Sequence, residues 1–579
     1  MHVLPRWLAA AVGVLTLLLG AVLIFRPFAS LAVLLLLVVV ALVVMAAGEL
    51  TDAPQAANRT VARLKALGWL ALAVVVAGWP GLGIRGIAVL LGVALIVDGA
   101  LDVIGAVRGS TTERLAAVLH GVAAVLLGIL ALAWPDVTVI VIGVIFGARL
   151  IWFGVTTIWA AVRPRSSEAT PDTVAEPAGP GAIARSWHVL RAAAGLALTL
   201  LLVVVSLKLH AGNPVPDAFY TAPDHVPSEP GQLLRTEPFD RAVPDTAQAW
   251  RILYTTTRDE GEPAVASALV VAPKELPDGP RPVIAWAHGT TGAAEGCAPS
   301  LLDDPFTAGA TPALPQVIDN GWVMVATDYV GLGTEGPHPY LIGQGEGRSV
   351  LDAVRAAHQL DDLDLDDRTV VWGHSQGGHA ALWTGQLADS YAPDDTVIGV
   401  AALAPAGNLT GLIANLDEVT GGSLFASFVL DAYSATYDDV DFDHYVRPAA
   451  RIPVREMAAR CLAEPEVFVS VITSLLFDKS ILSRPASEGA LGKRLAENVP
   501  LDPISAPVFI AQGEADGLIL PSAQRAYVRQ RCGLGGTVEY RTYPGVDHVG
   551  VVGNDSPLIP DLLAWTQDRL DGRPATSTC

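Results

Sequence analysis

Long apolar runs fill the first 208 residues of this 579-residue chain, and no other feature constrains its fold as strongly. A helix that crosses a bilayer needs about 20 mostly apolar residues. A second run follows the first at once, with no clear small-residue cleavage site between them, so the first is expected to be a span rather than a cleaved signal peptide. We predict seven transmembrane helices, at about residues 7–25, 28–47, 66–82, 85–105, 115–133, 137–161 and 189–207.

The apolar runs form a repeat. Arg26-Pro27, Trp79-Pro80 and Trp134-Pro135 each lie between two runs, and the prolines are 53 and 55 residues apart. Proline is tolerated in the first turn of a helix, so the pattern predicts three helical hairpins. This repeat resembles the small bacterial membrane proteins of the HdeD type over about residues 5–165. The resemblance implies a six-span membrane domain at 1–165 and no known chemistry.

The distribution of Lys and Arg predicts the orientation of this domain, because cytoplasmic loops carry an excess of positive charge. With a cytoplasmic N-terminus, the segments on that side hold ten Lys and Arg, and the outer loops hold only Arg26 and Arg85. Residues 166–187 are then a cytoplasmic linker, and a seventh span at 188–208 leads outward. We expect a multi-pass protein of the bacterial cell membrane whose residues after Lys208 are extracytoplasmic.

Within the predicted spans, the ionisable residues that stand out are Asp98, Asp102, His120 and Arg149. Charged groups at membrane depth are costly and are often functional, so a proton or ion path is one interpretation. The alternative is an interhelical Asp–Arg pair or side chains close to the interface. No span carries a series of charges, which favours the alternative.

Charge and cysteine content separate the two halves of the chain. Residues 1–208 contain 14 Lys and Arg against 9 Asp and Glu, a net +5, whereas the whole chain is −21, so residues 209–579 carry −26. A domain that acidic repels phosphate and is not expected to bind nucleic acid. The even number of cysteines on the outer side indicates two disulfides, although four buried thiols would give the same count. The cysteines are Cys297, Cys461, Cys532 and Cys579.

After a predicted outer linker at 209–232, short apolar strands alternate with helical patterns. This alternation favours a mostly parallel sheet with helices on both faces. A helical insertion at about 406–500 interrupts it. The predicted strands are Ala249–Thr257, Val265–Val271, Val283–Ala287, Trp322–Thr327, Thr369–Trp372, Val397–Ala402, Val508–Ala511 and Val538–Tyr543, and the predicted helices are Ser349–Leu360, Gly378–Ser390, Pro521–Arg531 and Pro557–Leu570.

The stretch Val370–Leu382 (VVWGHSQGGHAAL) contains the motif Gly373-His374-Ser375-Gln376-Gly377. A sharp turn from a strand into a helix leaves no room for side chains two residues before and after a nucleophile, which accounts for both glycines. A buried strand precedes the motif, and a helix with small residues follows it. We predict that Ser375 is a nucleophile at a strand–helix elbow rather than an ordinary serine in a glycine-rich turn.

A serine nucleophile needs a base, and the base needs an acid that orients it. On an α/β-hydrolase sheet the chain order is serine, acid, histidine. Three histidines follow Ser375. His379 is too close in sequence to reach back, and His444 lies in an Asp-rich run that is expected to be a solvated surface. His548, which follows the last predicted strand, is therefore the predicted base.

The predicted acid is Asp516, in the stretch AQGEADGLILP that follows a predicted strand. It lies 32 residues before His548, in a loop at the carboxyl end of that strand. Glu514 and Asp547 are the alternatives. We expect Glu514 to be a turn residue, and Asp547 to point away from its neighbour along an extended chain.

An oxyanion hole would combine the backbone N–H of Gln376 with a second N–H from the loop after an earlier strand. The stretch Val283–Gly292 ends a strand in His-Gly-Thr-Thr-Gly. Gly289 lets the backbone bend there, so the N–H of Thr290 is the predicted second donor. We expect His288 to fix this loop by hydrogen bonds rather than to act as a base.

Four ordered motifs resemble the secretory lipases related to Candida lipase A, over roughly residues 216–570. They are Asp328–Ala357 (DYVGLGTEGPHPYLIGQGEGRSVLDAVRAA), GHSQGG, GEADGLILP and the Asp-His pair before Val549. The resemblance implies an α/β-hydrolase fold with a helical cap, hydrolysis of lipid-like esters and no cofactor. It assigns the triad to Ser375, Asp516 and His548, and it implies the disulfides Cys297–Cys461 and Cys532–Cys579.

Two features depart from that family. Some fungal relatives carry an acidic residue in the oxyanion loop, where this chain has HGTTG, and a fused membrane half is not part of the family pattern. No metal-ligand spacing and no phosphate loop occurs in the sequence. We predict a membrane-anchored, outward-facing serine carboxylesterase or lipase, with a hydrolase domain at 233–579. The alternatives are a membrane stress-protection protein with a hydrolase-fold sensing module, and a peptidase or acyltransferase with the same triad.

Overall fold

The computed structural model forms two compact units, one made chiefly of residues 1–211 and the other chiefly of residues 212–579. The residues that the structure describes are 6–25, six positions between 36 and 46, 59–78, 84–106, 111–162, 182–209, 212–275, 279–416, 419, 421–477 and 480–579.

The first unit is helical wherever the structure describes it. Two of these helices contain stretches long and apolar enough to cross a membrane, Ala88–Gly105 and Arg114–Ala133. Seven spans therefore stay a prediction, and most of the one predicted at 28–47 lies outside the described residues. The helices are α1 (Arg6–Phe25), α2 (Arg59–Gly78), α3 (Ile84–Gly105), α4 (Thr111–Ala133), α5 (Pro135–Val162) and α6 (Ala182–Leu209).

Glycines seven residues apart bring two antiparallel helix pairs of this unit into close contact. A Cβ added to Gly13 of α1 would lie 2.9 Å from the carbonyl oxygen of Gly154 on α5. A Cβ added to Gly92 of α3 would lie 2.9 Å from the carbonyl oxygen of Gly128 on α4. Small residues let membrane helices approach to backbone contact, so this pattern suits a bundle packed in lipid.

The ionisable residues in the predicted spans form an interhelical cluster. The Lys65 Nζ atom lies 2.8 Å from Asp98 Oδ1 and also contacts Asp102, whose other oxygen is 3.8 Å from His120 Nε2. The ion-pair interpretation therefore fits, but the cation is Lys65, and the side chain of Arg149 lies outside the described residues. An ammonium group that contacts both carboxylates occupies the place that a metal ion would take.

The second unit is built on a nine-stranded sheet of order β1-β2-β3-β5-β4-β6-β7-β8-β9. The first three strands are antiparallel to their neighbours, and β5, β4, β6, β7, β8 and β9 run parallel. The strands are β1 (Leu233–Phe239), β2 (Ala247–Thr257), β3 (Pro263–Pro273), β4 (Arg281–Ala287), β5 (Val323–Thr327), β6 (Leu365–His374), β7 (Thr396–Leu403), β8 (Val508–Gly513) and β9 (Val538–Tyr543).

Helices cover both faces of the sheet, as the sequence predicts. Alternate residues of β4 join two separate cores, with Val283 and Ala285 on one side and Ile284 and Trp286 on the other. The helices outside the cap are α7 (Pro305–Ala308), α8 (Leu314–Asp319), α9 (Gly343–Ala357), α10 (Gln376–Tyr391), α17 (Pro521–Gly533) and α18 (Leu558–Leu570). Helices α9, α10 and α17 pack on the first core, and α8 and α18 on the second.

Six helices lie between β7 and β8, where the sequence predicts the cap. They are α11 (Leu409–Asn415), α12 (Gly422–Thr436), α13 (Phe442–Tyr445), α14 (Arg451–Ala458), α15 (Val467–Leu476) and α16 (Gly489–Glu497). The Asp-rich run around His444 is exposed at α13, in agreement with its interpretation as a solvated surface.

The stretch expected as an outer linker is largely part of the folded domain. Phe219 and Tyr220 are buried against Leu253 and Val265, and the Tyr220 hydroxyl is 2.9 Å from Ser300 Oγ. Strand β1, which follows, was not predicted. Its side chains show no alternation of buried and exposed positions, because it pairs only with β2 at the edge of the sheet.

Candidate active site

Ser375 lies at a tight turn between β6 and α10. Its φ of 56° falls in the left-handed region, which a serine adopts only under constraint. A Cβ on Gly373 would collide with the carbonyl oxygen of Gly377, and a Cβ on Gly377 would collide with that of Ala287. Both glycines of the motif are therefore required by the geometry of the elbow.

Ser375, His548 and Asp516 form one hydrogen-bonded chain, although 173 residues separate the first two. The Ser375 hydroxyl donates to His548 Nε2 at 2.8 Å, and His548 Nδ1–H donates to Asp516 Oδ2 at 2.8 Å. The carboxylate can only accept, so it places the proton of a neutral His548 on Nδ1. Nε2 is then free to take the hydroxyl proton.

Backbone donors hold Asp516 as a carboxylate. Its Oδ1 accepts from the N–H groups of Leu518 and Ile519, both at 2.8 Å, and Oδ2 also accepts from Gln512 Nε2 at 2.9 Å. Burial alone would raise the pKa of Asp516, but the hydrogen bond and charge of His548 together with these N–H groups outweigh it. The pKa of Asp516 is lowered below its ordinary value.

The alternative acids and bases lie elsewhere. Glu514 accepts from the Thr542 hydroxyl of β9 at 2.9 Å, and Asp547 accepts from the N–H of Gly550 in its own turn at 2.7 Å. His379 is fully buried on α10 beside Glu346. Of the acids considered from sequence, Asp516 is the one that the structure joins to His548.

The loop after β4 brings Thr290 beside Ser375. Thr290 lines the same cavity as Ser375, and its hydroxyl is 3.0 Å from the Tyr340 hydroxyl. His288 is buried, and its Nδ1–H donates to the carbonyl oxygen of Gly289 at 2.6 Å. Burial lowers the pKa of His288 to about 4, which keeps the ring neutral. Its geometry is that of a residue that fixes the loop.

A cavity opens onto Ser375. The cap supplies Leu412, Phe425 and Val429, and the loop after Asp516 supplies Leu518. A second cavity shares Leu412 and Leu518 with the first. The space beside the hydroxyl is therefore mostly apolar, which suits an acyl chain.

Two disulfides join the four cysteines in the pairing that the family resemblance implies. Cys297–Cys461 has a Cα–Cα distance of 5.2 Å, and it ties the segment after the Thr290 loop to the cap. The N–H of Leu462 donates to the carbonyl oxygen of Thr291 at 2.7 Å and adds to this connection. Cys532–Cys579, at 5.4 Å, ties the last residue to α17.

A buried polar network behind the elbow was missed by the sequence analysis. Gln376 Nε2 donates to Glu346 Oε1 at 2.7 Å and to His338 Nε2 at 2.9 Å. His379 Nε2–H donates to the carbonyl oxygen of Asn498 at 2.7 Å, and its Nδ1 is 3.2 Å from Glu346 Oε2. The signal was present, because Glu346 and His338 belong to the motif that carries the lipase resemblance.

His374, inside the elbow motif, also supports the triad. Its Nε2–H donates to the backbone carbonyl oxygen of His548 at 2.9 Å, and the two ring centroids are 4.8 Å apart. Burial, together with the neighbouring His548 ring, lowers the pKa of His374 to about 3. A neutral His374 thus holds the loop that carries His548 at the elbow.

Comparisons with known proteins match the two parts of the chain to two families. Residues 309–578 match the secretory lipase family, and residues 11–65, 64–120 and 119–173 match a short repeat of unknown function, DUF308. Lipase A of Moesziomyces aphidis is 25% identical over 68% of this chain and 89% of its own length. A secreted triacylglycerol lipase of Malassezia globosa is 27% identical over 63% of this chain and 84% of its own.

Solved structures show the same fold. Candida antarctica lipase A is 22% identical, with a TM-score of 0.53 over 63% of this chain and 88% of that one. A mutant of the rice cell wall degrading esterase LipA from Xanthomonas oryzae is 19% identical, with a TM-score of 0.51 over 60% of this chain and 100% of that one. These matches confirm both resemblances, so the chain carries a domain of the secretory lipase family preceded by three HdeD-like DUF308 repeats.

Proposed function

We propose that this chain is a membrane-anchored serine hydrolase that cleaves lipid-like carboxylic esters through an acyl-enzyme. One observation carries the proposal, the continuous chain of hydrogen bonds from Ser375 through His548 to Asp516. The family match and the names of the relatives, which are lipases and triacylglycerol lipases, support a carboxylic ester hydrolase.

In the proposed reaction, His548 Nε2 takes the proton from Ser375 as Oγ attacks the ester carbonyl carbon. Asp516 holds His548 in the required tautomer and stabilises the imidazolium that forms. The imidazolium then gives the proton to the leaving alkoxide, so that the alcohol departs and the acyl group stays on Ser375. Water, deprotonated by His548, completes the cycle by the reverse sequence.

We assign the oxyanion hole to the backbone N–H groups of Gln376 and Thr290. Two observations support this assignment. Among the described residues, neither N–H donates to a protein acceptor. Gln376 directly follows Ser375 in the chain, and Thr290 lines the cavity onto which Ser375 opens. Donors aimed at the developing oxyanion are often the largest single contribution to such catalysis.

The position in the cell is part of the proposal. DUF308 repeats and two apolar helices support anchoring in a membrane, and the excess of Lys and Arg in the predicted inner segments supports an outward-facing hydrolase domain. Two disulfides suit an oxidising compartment outside the cytoplasm. The domain division into 1–165, 166–187 and 188–208 belongs to this proposal. The hydrolase domain then begins before Leu233, because Phe219 and Tyr220 of the predicted linker at 209–232 pack on it.

The alternative without catalytic turnover is a membrane stress-protection protein whose hydrolase-fold module senses or binds a ligand. A relative from Mycobacterium tuberculosis, 27% identical, is named a probable inactive lipase, so family membership alone does not guarantee catalysis. The complete triad of this chain favours the enzyme over that alternative. A peptidase or acyltransferase would use the same triad, and only product analysis separates them from an esterase.

The test is hydrolysis of p-nitrophenyl esters with two to sixteen carbons by membranes that carry the intact chain, beside Ser375→Ala. We expect the variant to lose turnover by on the order of 10⁵-fold while its expression and disulfides are retained. Released acid identifies hydrolysis, and an ester formed with an added alcohol identifies acyl transfer. Equal rates for the chain and the variant would contradict the proposal.

A further inference from the structure

Helix α15 of the cap has an inverted arrangement of polar and apolar residues. Its exposed face carries Phe468 (65% exposed), Val471 (38%), Ile472 (50%) and Leu475 (57%), at helical spacings of three, four and seven. A cap helix in water normally buries such a stripe and exposes its polar side chains. The outer face of α15 is therefore built for contact with something apolar.

The inner face of the same helix is buried, and three of its four buried residues are polar, the fourth being Val469. Ser470, Thr473 and Ser474 face the domain. Among the residues that the structure describes, the hydroxyls of Ser470 and Thr473 have no hydrogen-bond partner. A helix oriented by its domain alone would place its apolar stripe inward and its hydroxyls in water. Its orientation is therefore not explained by burial within the domain.

Helix α15 is connected to the catalytic cavity. The Ser474 hydroxyl contacts the Ser423 hydroxyl at 2.5 Å, which joins α15 to α12. Helix α12 contributes Phe425 and Val429 to the wall of the cavity that contains Ser375. A surface that binds α15 would therefore hold a helix that is directly bonded to α12, which lines the cavity of Ser375.

The path of the chain indicates what covers this face. Helix α6, which contains the proposed seventh span at 188–208, ends at Leu209. The Asn213 side chain already bonds the cap, donating to the Ala459 carbonyl oxygen at 2.7 Å and accepting from the Cys461 N–H at 3.3 Å. Four residues of chain span at most about 14 Å. The membrane tether is thus attached to the cap six residues before α15 begins.

We propose that the outer face of α15 inserts into the lipid surface beside the anchor and holds the cap against the bilayer. A second copy of the chain is disfavoured as the partner, because residues 209–579 carry a net −26 and two copies repel each other. The same charge opposes anionic lipid, so the proposed partner is a neutral or zwitterionic surface that binds by apolar burial. The inference rests on the proposed membrane anchoring.

The test uses the full chain with Ile472→Cys, reconstituted in phosphatidylcholine vesicles and labelled with an environment-sensitive fluorophore. The four native cysteines are paired, so the new thiol is the one labelled. Leu534→Cys, 46% exposed at the end of α17, is the matched control. We expect lipids with a quencher in the acyl chain to quench the label at 472 at least about threefold more than the label at 534.

Flotation of the vesicles separates failure of the anchor from failure of the inference. A chain that floats with the vesicles but shows equal quenching at 472 and 534 overturns the inference alone. A label at 472 that neither lipid quencher nor aqueous iodide reaches shows a protein partner and overturns it as well. A chain that does not float overturns the anchoring and the inference together.

Activity gives a second measurement. We expect Phe468→Ser with Ile472→Ser to lower hydrolysis of a long-chain ester dispersed in phosphatidylcholine vesicles by about tenfold and to leave hydrolysis of dissolved p-nitrophenyl butyrate unchanged. Loss of both activities, or of neither, contradicts the inference. A parent chain that hydrolyses neither substrate contradicts the proposed esterase, while the quenching result still decides whether α15 binds lipid.

Discussion

The hydrolase domain contains two histidine–carboxylate pairs that differ in what the second ring nitrogen contacts. In the His548–Asp516 pair, at 2.8 Å, that nitrogen faces the Ser375 hydroxyl at 2.8 Å. In the His379–Glu346 pair, at 3.2 Å, it donates to the Asn498 carbonyl oxygen at 2.7 Å. A hydroxyl can give up a proton and a carbonyl cannot, so the same pair of residues can activate a nucleophile in one place and only hold structure in the other.

The carboxylates differ as well. Burial raises the pKa of Glu346, even though His379 and Gln376 act in the opposite direction, whereas the pKa of Asp516 is lowered. His379 Nε2 must carry a proton for the Asn498 carbonyl, so one further proton lies between Nδ1 and Glu346 Oε2, on either atom. The His379–Glu346 pair thus needs one proton shared between its two side chains, whereas the His548–Asp516 pair needs Asp516 as an ionised carboxylate.

The largest expected contrast comes from truncating each histidine. His548→Ala removes the proposed base, so we expect kcat/KM for p-nitrophenyl butyrate to fall by on the order of 10⁵-fold with little change in stability. His379→Ala breaks a buried pair, which costs about 3–5 kcal/mol of folding free energy. We expect a lower midpoint of thermal inactivation but activity within about tenfold of the parent per folded molecule.

The measurements are initial rates at 20 °C and the temperature of half-inactivation. If His379→Ala, in its folded fraction, lost as much activity as His548→Ala, His379 would have a role in the reaction itself. The proposed contrast would then be wrong.

The next contrast replaces each carboxylate by its amide. Asp516 accepts at both oxygens, so an amide N–H₂ in Asp516→Asn must face another donor, and His548 loses the tautomer that it needs. We expect a loss on the order of 10⁴-fold. In Glu346→Gln, the amide can donate to His379 Nδ1 while its oxygen still accepts from Gln376, so we expect activity within about threefold of the parent.

Glu346→Ala is the control for this pair, because it leaves His379 and Gln376 without their partner and should lower stability by about 2–3 kcal/mol or more. Comparable losses of activity in Asp516→Asn and Glu346→Gln would show that the Glu346 pair depends on charge. The distinction between a shared proton and a carboxylate would then fail.

These two pairs also show what the sequence could predict. His548 and Asp516 follow from the fixed order of serine, acid and histidine along an α/β-hydrolase chain, which left three histidines to consider. The partner of His379 could not be found in this way. Glu346 lies 33 residues upstream on α9, and its contact with α10 depends on how two helices pack over one face of the sheet.

In the rest of the chain, the sequence predicted strands and helices better than it predicted how they pack against their neighbours. Short apolar runs that alternate with helical patterns predicted eight of the nine strands, β2 and β3 of the antiparallel part included. The edge strand β1 has no buried face from which to be recognised. The cap was predicted as helical, but which face of α15 is exposed depends on tertiary packing. The linker expected before Leu233 is anchored by Phe219 and Tyr220, two aromatic residues in a stretch that is otherwise polar and rich in proline.

The smallest expected effect concerns Gln376, which connects the two pairs. Its backbone N–H is the proposed oxyanion donor beside Ser375, and its side chain donates to Glu346 at 2.7 Å. Gln376→Ala keeps the backbone N–H but removes its anchor to Glu346. An oxyanion donor acts mainly in the transition state, so we expect kcat to fall by about tenfold while KM stays within about twofold.

If Gln376→Ala instead raised KM at constant kcat, the side chain would shape substrate binding rather than the oxyanion hole. If neither constant changed, the two glycines and the backbone bonds of the elbow would suffice to position the N–H, and the Glu346 pair would stabilise the fold without influencing catalysis.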